Sequence, residues 1–346
     1  MITSRYDIEF IRHEAIKLLT DHGVPDEQAY ILTDSMLEAD KSGVATHGIR
    51  MLPAYIRKLD NGDFSFEDIV VKKSFPAFSV VNSNNCIGAV SAYYSTQLAI
   101  NEAKNNGMHT VFAYNSNTLG PAFYYVKKIA EKGLIGYVCC NSPAAMPANN
   151  GLEVMLGTNP FAFACPSKSA GTILIDMATS AVAKSKFLEA KNKGQKLSMG
   201  LALDSLGNPT VNPDEAIRGL VLPMAGVKGY GIAIMIDVLS GVLSGAAYLN
   251  NVGKFYSNDG HGMNVGHMFV AIDPSAIYDG DFFAEMDQYI KTLRNSKVKK
   301  GQTITLPGDG KREKENAANE YGIELPEDIV KILSNLFKIS DLKPVN

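Results

Sequence analysis

The stretch Leu134–Cys140, LIGYVCC, is apolar almost throughout, with Gly133 before it and the turn-forming Asn141-Ser142-Pro143 after it. It is too short to span a membrane and lacks the polar alternation of a half-exposed strand, so it predicts a strand covered on both faces. Such a strand needs a sheet with helices packed against it. Before it, FSVVN from Phe78 reads as a strand, Ala89–Lys104 as a helix, His109–Tyr114 (HTVFAY) as a strand and Phe123–Lys132 as a helix. The rhythm is β-α-β. Further strands are expected at Asn159–Cys165 and Thr172–Asp176, with His267–Ile272 (HMFVAI) as a last central strand. Between them lie a helix at Ala181–Lys193 and a polar, hairpin-like stretch at Leu201–Pro213.

The two ends of the chain read differently. Ser4 and Asp7 match a loosened capping box before Ile8, Ile11, Ala15 and Leu18, and Gly23 with Pro25 stops that helix. A second helix runs from Asp26 to Asp40, and a third follows Ile49, Leu52, Tyr55, Ile56 and Leu59 to the turn Asn61-Gly62. Pro53 is tolerable there only in a first turn. Near the other end, Phe282–Leu293 and Glu327–Phe337 are amphipathic helices on either side of the loop 306–310. The switch in pattern puts domain boundaries near 70 and 285. Gly229–Leu249 is mostly apolar with Gly241 and Gly245 at GxxxG spacing, but Asp237, Ser240 and Ser244 make it a tightly packed soluble helix rather than a membrane span.

Composition narrows the function. A chain of 346 residues with 46% hydrophobic and 20% charged residues and a formal net charge of -3 is globular and advertises no nucleic-acid surface. Lys297–Lys300 (KVKK) and Lys311–Lys314 (KREK) read as solvated surface. Cys86, Cys139, Cys140 and Cys165 have no metal-ligand spacing and read as buried small hydrophobes, so no metal site is expected. The charged start lacks the apolar core of a secretory signal, and a cytoplasmic protein is expected.

Chemistry concentrates in Asp40–Tyr55, DKSGVATHGIRMLPAY, where a helix gives way to a glycine-containing turn. His47 there is a candidate acid or base, and Arg50, three residues on, a candidate anchor for an anion. The plain alternative is a helix-terminal histidine and an arginine reaching to water. Three loops rich in Asn, Ser, Gly and Pro follow apolar strands at 115–120, 141–143 and 157–160, which fits either a ligand cleft or ordinary turn chemistry. Asp176 ends a strand, where it can orient a ribose or an imidazole, or cap a helix. Lys228 precedes the glycine-rich helix, suited to a phosphate or carboxylate or simply exposed. No GxGxxG follows the first strand, and the GxGxxxG from Gly260 to Gly266 is spaced wrongly for a dinucleotide fingerprint.

Taken in order, His47-Gly48 with Pro53 and Tyr55, Asn115-Ser116-Asn117, LIGYVCCNSP, LGTNPFAFACPS, ILIDMATS, LALDSLGNPT, KGYGIAIMIDVLSGVLSG, GHMFVAID and LPGDGKRE resemble the malate/L-lactate dehydrogenase family of NAD(P)-dependent 2-hydroxyacid oxidoreductases. The resemblance implies a non-Rossmann α/β fold. Its mixed-sheet cofactor domain (71–284) would sit beside a helical domain formed by both chain ends (1–70 with 285–346). It implies a homodimer with its active site near the subunit contact, NAD or NADP as cofactor and a small carboxylate as substrate, without nucleic-acid or membrane partners. His47 becomes the proton donor in reduction; Arg50, Tyr55, Asn117 and Thr118 become substrate contacts. Ser142, Asp176, Met177, Ala178, Lys228, Pro307, Gly308 and Asp309 become cofactor contacts. Two positions depart from the family pattern: Thr118 stands where many members have histidine, and Met51 where many have arginine. The expected reaction is hydride transfer at C2 of a small 2-hydroxy or 2-oxo acid. Cyclic imino acid reduction and a catalytically inert binder are the alternatives.

Overall fold

The computed structural model describes residues 3–257, 262–340 and 342–345. Its centre is a seven-stranded sheet. In spatial order the strands are Val70–Phe75, Phe78–Asn82, Met108–Ser116, Val265–Ile272, Ile135–Cys140, Phe161–Cys165 and Ile173–Met177. The pair Phe78–Asn82 and Met108–Ser116 is parallel, joined by the helix Gly88–Asn106 as the β-α-β rhythm requires. The other neighbours in this sheet are antiparallel, so it is mixed. HMFVAI takes the middle position, and Val138 and Cys139 of LIGYVCC are fully buried beside it.

Both faces of the sheet are covered. On one side a single apolar core joins Ile11, Leu32, Met36 and Leu37 of the N-terminal helices to Tyr125, Val138 and Phe269 and to Leu333 of the last helix. On the other, Ile232, Ile236 and Leu239 pack on Cys139 and Met268. The chain ends meet: Thr3–Tyr6 pairs antiparallel with Ile323–Pro326, which neither local pattern predicts. Ser4 therefore lies in a strand and cannot cap the first helix. Asp7 does so, its carboxylate accepting from the Phe10 amide at 2.6 Å. Pro53 sits in the first turn of the helix Leu52–Asp60, where its missing N–H costs little.

The glycine-rich helix differs from expectation. It runs as an α-helix over Val227–Ile236 and widens to a π-helix over Asp237–Val242. Gly229, Ala233, Ile236, Ser240 and Gly241 are buried, but Ile234, Met235, Val238, Val242 and Leu243 are exposed. A helix that is apolar all round finds a partner on only one side within a single chain. Among the described residues no helix is long and apolar enough to cross a membrane. Gly260 of the GxGxxxG stretch lies outside the described residues. Gly266, second in the central strand, packs on the Ser240 carbonyl and leaves no room for a Cβ.

Candidate active site

The histidine corner is built by a partly buried carboxylate. Helix Asp26–Lys41 stops at Ser42 and Gly43 (φ +73°), and the chain continues as two 3-10 turns, Ala45–His47 and Ile49–Met51, hinged at Gly48. Asp40 reaches back from the helix end, its Oδ2 accepting the Ile49 amide at 2.6 Å. Gly48 packs directly on that carboxylate, and a Cβ there would lie 1.9 Å from Oδ1. Burial pushes the Asp40 carboxyl up to about 7, against the downward pull of the Ile49 N–H and the Arg50 charge.

His47 faces a cavity of about 280 Å³. The segment Thr118–Ala122 closes one side, Ser142-Pro143 and Thr158 another, and Asp176-Met177-Ala178 a third. The asparagines of these loops are the framework. Asn159, at φ +22°, accepts from the Ser142 amide at 3.1 Å and donates to the Ala233 carbonyl at 2.9 Å, tying the Ser142 turn to the glycine-rich helix. Gly157 leaves no room for a Cβ, which would fall 2.1 Å from the Ser142 carbonyl. Turn chemistry and cleft formation, alternatives in the sequence, are here the same structure.

His47 presents much of its surface to this cavity, yet the surrounding protein desolvates the ring and holds its pKa below the usual imidazole value. The Asp176 carboxylate pulls the pKa upward, and the Lys311 ammonium opposes it. Lys311 Nζ donates to Asp176 Oδ2 at 3.1 Å and lies 4.2 Å from the centroid of the Phe123 ring. An imidazole and a carboxylate from distant parts of the chain thus meet in one cavity, with the carboxylate held from outside its lining by Lys311, an arrangement able to exchange a proton while balancing the charge that results.

The family profile described as malate/L-lactate dehydrogenase matches residues 6–334. The chain belongs to the malate/L-lactate dehydrogenase family. A malate/(S)-sulfolactate dehydrogenase of Methanothermus fervidus is 35% identical over 323 residues, covering 93% of this chain and 94% of that protein. An NAD(+)-dependent ureidoglycolate dehydrogenase of Escherichia coli O157:H7 is 31% identical over 318 residues, covering 91% and 90%. The solved sulfolactate dehydrogenase from Methanocaldococcus jannaschii superposes with a TM-score of 0.89 at 31% identity, covering 97% of this chain and 98% of that one. The chain is thus an oxidoreductase of the 2-hydroxyacid dehydrogenase type with the mixed α/β fold of these relatives.

Within this family member the structure brings together His47, Thr118, Ser142, Asp176, Met177 and Ala178 around the first cavity. Tyr55 and Thr118 line a second, adjoining cavity that also reaches His47. Six expected contacts do not line these two cavities. Arg50 is exposed and lines neither cavity: the extended backbone at Gly48 (ψ -166°) breaks the helical phase between the two 3-10 turns, and it is Met51 that turns inward. Asn117 is buried: its amide donates to Asn85 and to the Cys86 carbonyl, its Oδ1 accepts the Met263 amide, and its carbonyl bonds His267 Nε2, so it holds the loop and lines neither cavity. Lys228 is exposed in the first turn of its helix, away from both cavities. The loop Pro307-Gly308-Asp309 lies along the edge of the end strand, where the Pro307 carbonyl accepts the Leu174 amide at 3.0 Å and Gly308 lines a separate cavity with Leu174 and Lys311. The Asp309 carboxylate is taken up by the Leu306 amide, Arg294 and Arg312.

KREK, expected to be solvated, corrects in the same place: Lys311 pairs with Asp176 and Arg312 with Asp309. Its helix, Asp309–Tyr321, is so polar that only Ala318 is buried, which hid it from a reading based on apolar periodicity. The one sequence hint was LPGDGKRE itself, whose lysine sits two residues beyond Asp309.

Proposed function

We propose that the protein moves a hydride between a nicotinamide cofactor, NAD or NADP, and C2 of a small 2-hydroxy or 2-oxo acid, with His47 exchanging the proton. The observation that carries this reading is the meeting of His47, Asp176 and Ser142 in one cavity. A nicotinamide ring fits the chemistry of its lining, which is mainly apolar with a few placed hydroxyls and backbone groups. Ser142, Thr158 and Met177-Ala178 would hold the cofactor, which when bound supplies or accepts the hydride.

The chain's own residues do the rest. A histidine with a lowered pKa is neutral at physiological pH and ready to take the proton of a 2-hydroxy acid; Asp176 then stabilises the imidazolium. In the reverse direction the same imidazolium protonates the developing alkoxide. Leu119, Pro121, Met263 and Val265 give the cavity apolar walls beside the reacting centre.

We also propose a homodimer, supported by the family's implied assembly and by the exposed apolar face Ile234, Met235, Val238, Val242 and Leu243. Residues 1–70 with 285–346, and 71–284, would be its two domains. Equilibrium titration of the purified protein, followed by nicotinamide fluorescence, tests the cofactor assignment. Saturation by NADH or NADPH below millimolar concentration is the expected result, and failure of both to bind overturns the assignment.

A further inference from the structure

The second cavity, about 180 Å³, shares Thr46, His47, Thr118 and Gly120 with the first and extends away from it. A substrate whose C2 lies near His47 projects its remaining carbons into this space. The far walls are Ser35, whose hydroxyl is engaged by the Leu32 carbonyl at 2.8 Å, and the larger Met36, Met51, Tyr55, Phe255 and Tyr256. They are packed on one another: Tyr55 meets Phe255 edge-on at 5.2 Å between centroids, Phe255 meets Tyr256 at 5.3 Å, and the Tyr256 hydroxyl lies 3.5 Å from Met51 Sδ. Burial pushes the Tyr55 phenol well up, so it stays neutral.

No lysine, arginine or carboxylate lines this cavity among the described residues. Arg50 turns outward. Lys58, whose ammonium lies 5.6 Å from the Phe255 ring centroid, is buried behind it and neutralised by Asp63 at 2.8 Å. A second acidic group on the substrate would thus meet no lysine or arginine on these walls among the described residues and would exchange part of its hydration for thioether and aromatic faces, an unfavourable trade for an ion. An apolar group would meet polarizable sulfur and aromatic faces instead, in a space of the size that holds a benzene-sized guest, roughly 150 Å³ or more.

We propose that this cavity takes an uncharged, apolar substituent at C3, so that the preferred substrates are 2-oxo and 2-hydroxy monocarboxylic acids with branched aliphatic or aryl side chains. This rests on the hydride-transfer chemistry proposed above. It sets the protein apart from relatives named for malate and sulfolactate, both of which carry a second anionic group at C3.

The test compares kcat/KM for 2-oxo-4-methylpentanoate and phenylpyruvate with that for oxaloacetate and sulfopyruvate, using the full chain and whichever reduced cofactor it binds. The apolar acids are expected to lead by about 100-fold or more. Met51→Arg should narrow or reverse that ratio by at least about tenfold. A readout without turnover is the thermal shift given by 2-hydroxy-4-methylpentanoate against malate with oxidised cofactor present, where the apolar acid is expected to stabilise more. Equal or better use of oxaloacetate or sulfopyruvate, with a ratio unmoved by Met51→Arg, overturns the inference and leaves the proposed reaction standing. No turnover of any 2-oxo acid overturns both.

Discussion

Replacing His47 with alanine is expected to lower kcat by about 100- to 10,000-fold while cofactor affinity changes little, since a positioned acid–base group contributes that much to a proton-coupled step. The imidazole faces the cavity and makes no side-chain hydrogen bond to the protein among the described residues, so its removal leaves no buried partner stranded. The pH profile carries the sign. With His47 as the proposed proton carrier, its acid form serves reduction, so kcat/KM is expected to fall as pH rises through the histidine pKa; its base form serves oxidation, so the rate is expected to fall as pH drops through it. Asp176→Asn removes the charge that raises this pKa and should move both limbs to lower pH. Lys311→Met removes the charge that lowers it and should move them upward. A near-normal kcat in His47→Ala would hand the proton to another group, with Tyr55 or a bound water next in line.

Gly48→Ala is expected to cost both stability and rate. The φ at Gly48 is -82°, so the requirement is space rather than backbone freedom. An added Cβ would lie 1.9 Å from Asp40 Oδ1, 2.3 Å from Cγ and 2.5 Å from Oδ2, all parts of one largely buried carboxylate. Asp40 must swing away, which strips the Ile49 amide of its acceptor and costs about 1–3 kcal/mol for that group alone. The hinge between the two 3-10 turns then shifts, and His47 on its N-terminal side loses its aim. A fall in kcat of at least about tenfold is expected, because misplacement by an ångström near the chemistry is costly. In Gly48→Ala/Asp40→Ala, relief of the clash should recover part of the melting temperature but not kcat, which separates positioning from folding. Wild-type stability and rate in the single variant would mean that Asp40 does not hold the corner.

What could be read beforehand follows from the range of the interactions. LIGYVCC, HTVFAY and HMFVAI announced their strands because burial is written into contiguous residues, and Glu327–Phe337 was bounded correctly by its apolar stripe. The strands Thr3–Tyr6 and Ile323–Pro326 were not legible, since each is short and its partner lies at the other end of the chain. Around the histidine, the Asp40–Tyr55 stretch and Asp176 stood out by residue type and family likeness. The direction of Arg50 and Met51 did not, because it depends on the extended backbone at Gly48, which breaks the phase between the turn that carries His47 and the turn that carries them. The Lys311 partner of Asp176 and the Phe255-Tyr256 wall come from distant segments that only the fold brings in.

The most direct test uses a reduced cofactor carrying deuterium at both C4 positions and a 2-oxo acid, with the product examined by NMR. Deuterium retained at C2 of the 2-hydroxy acid on a single stereochemical face, one per cofactor oxidised, is the expected result. Cofactor oxidation that leaves C2 unlabelled, or label scrambled with solvent, would contradict direct hydride transfer in the His47 cavity.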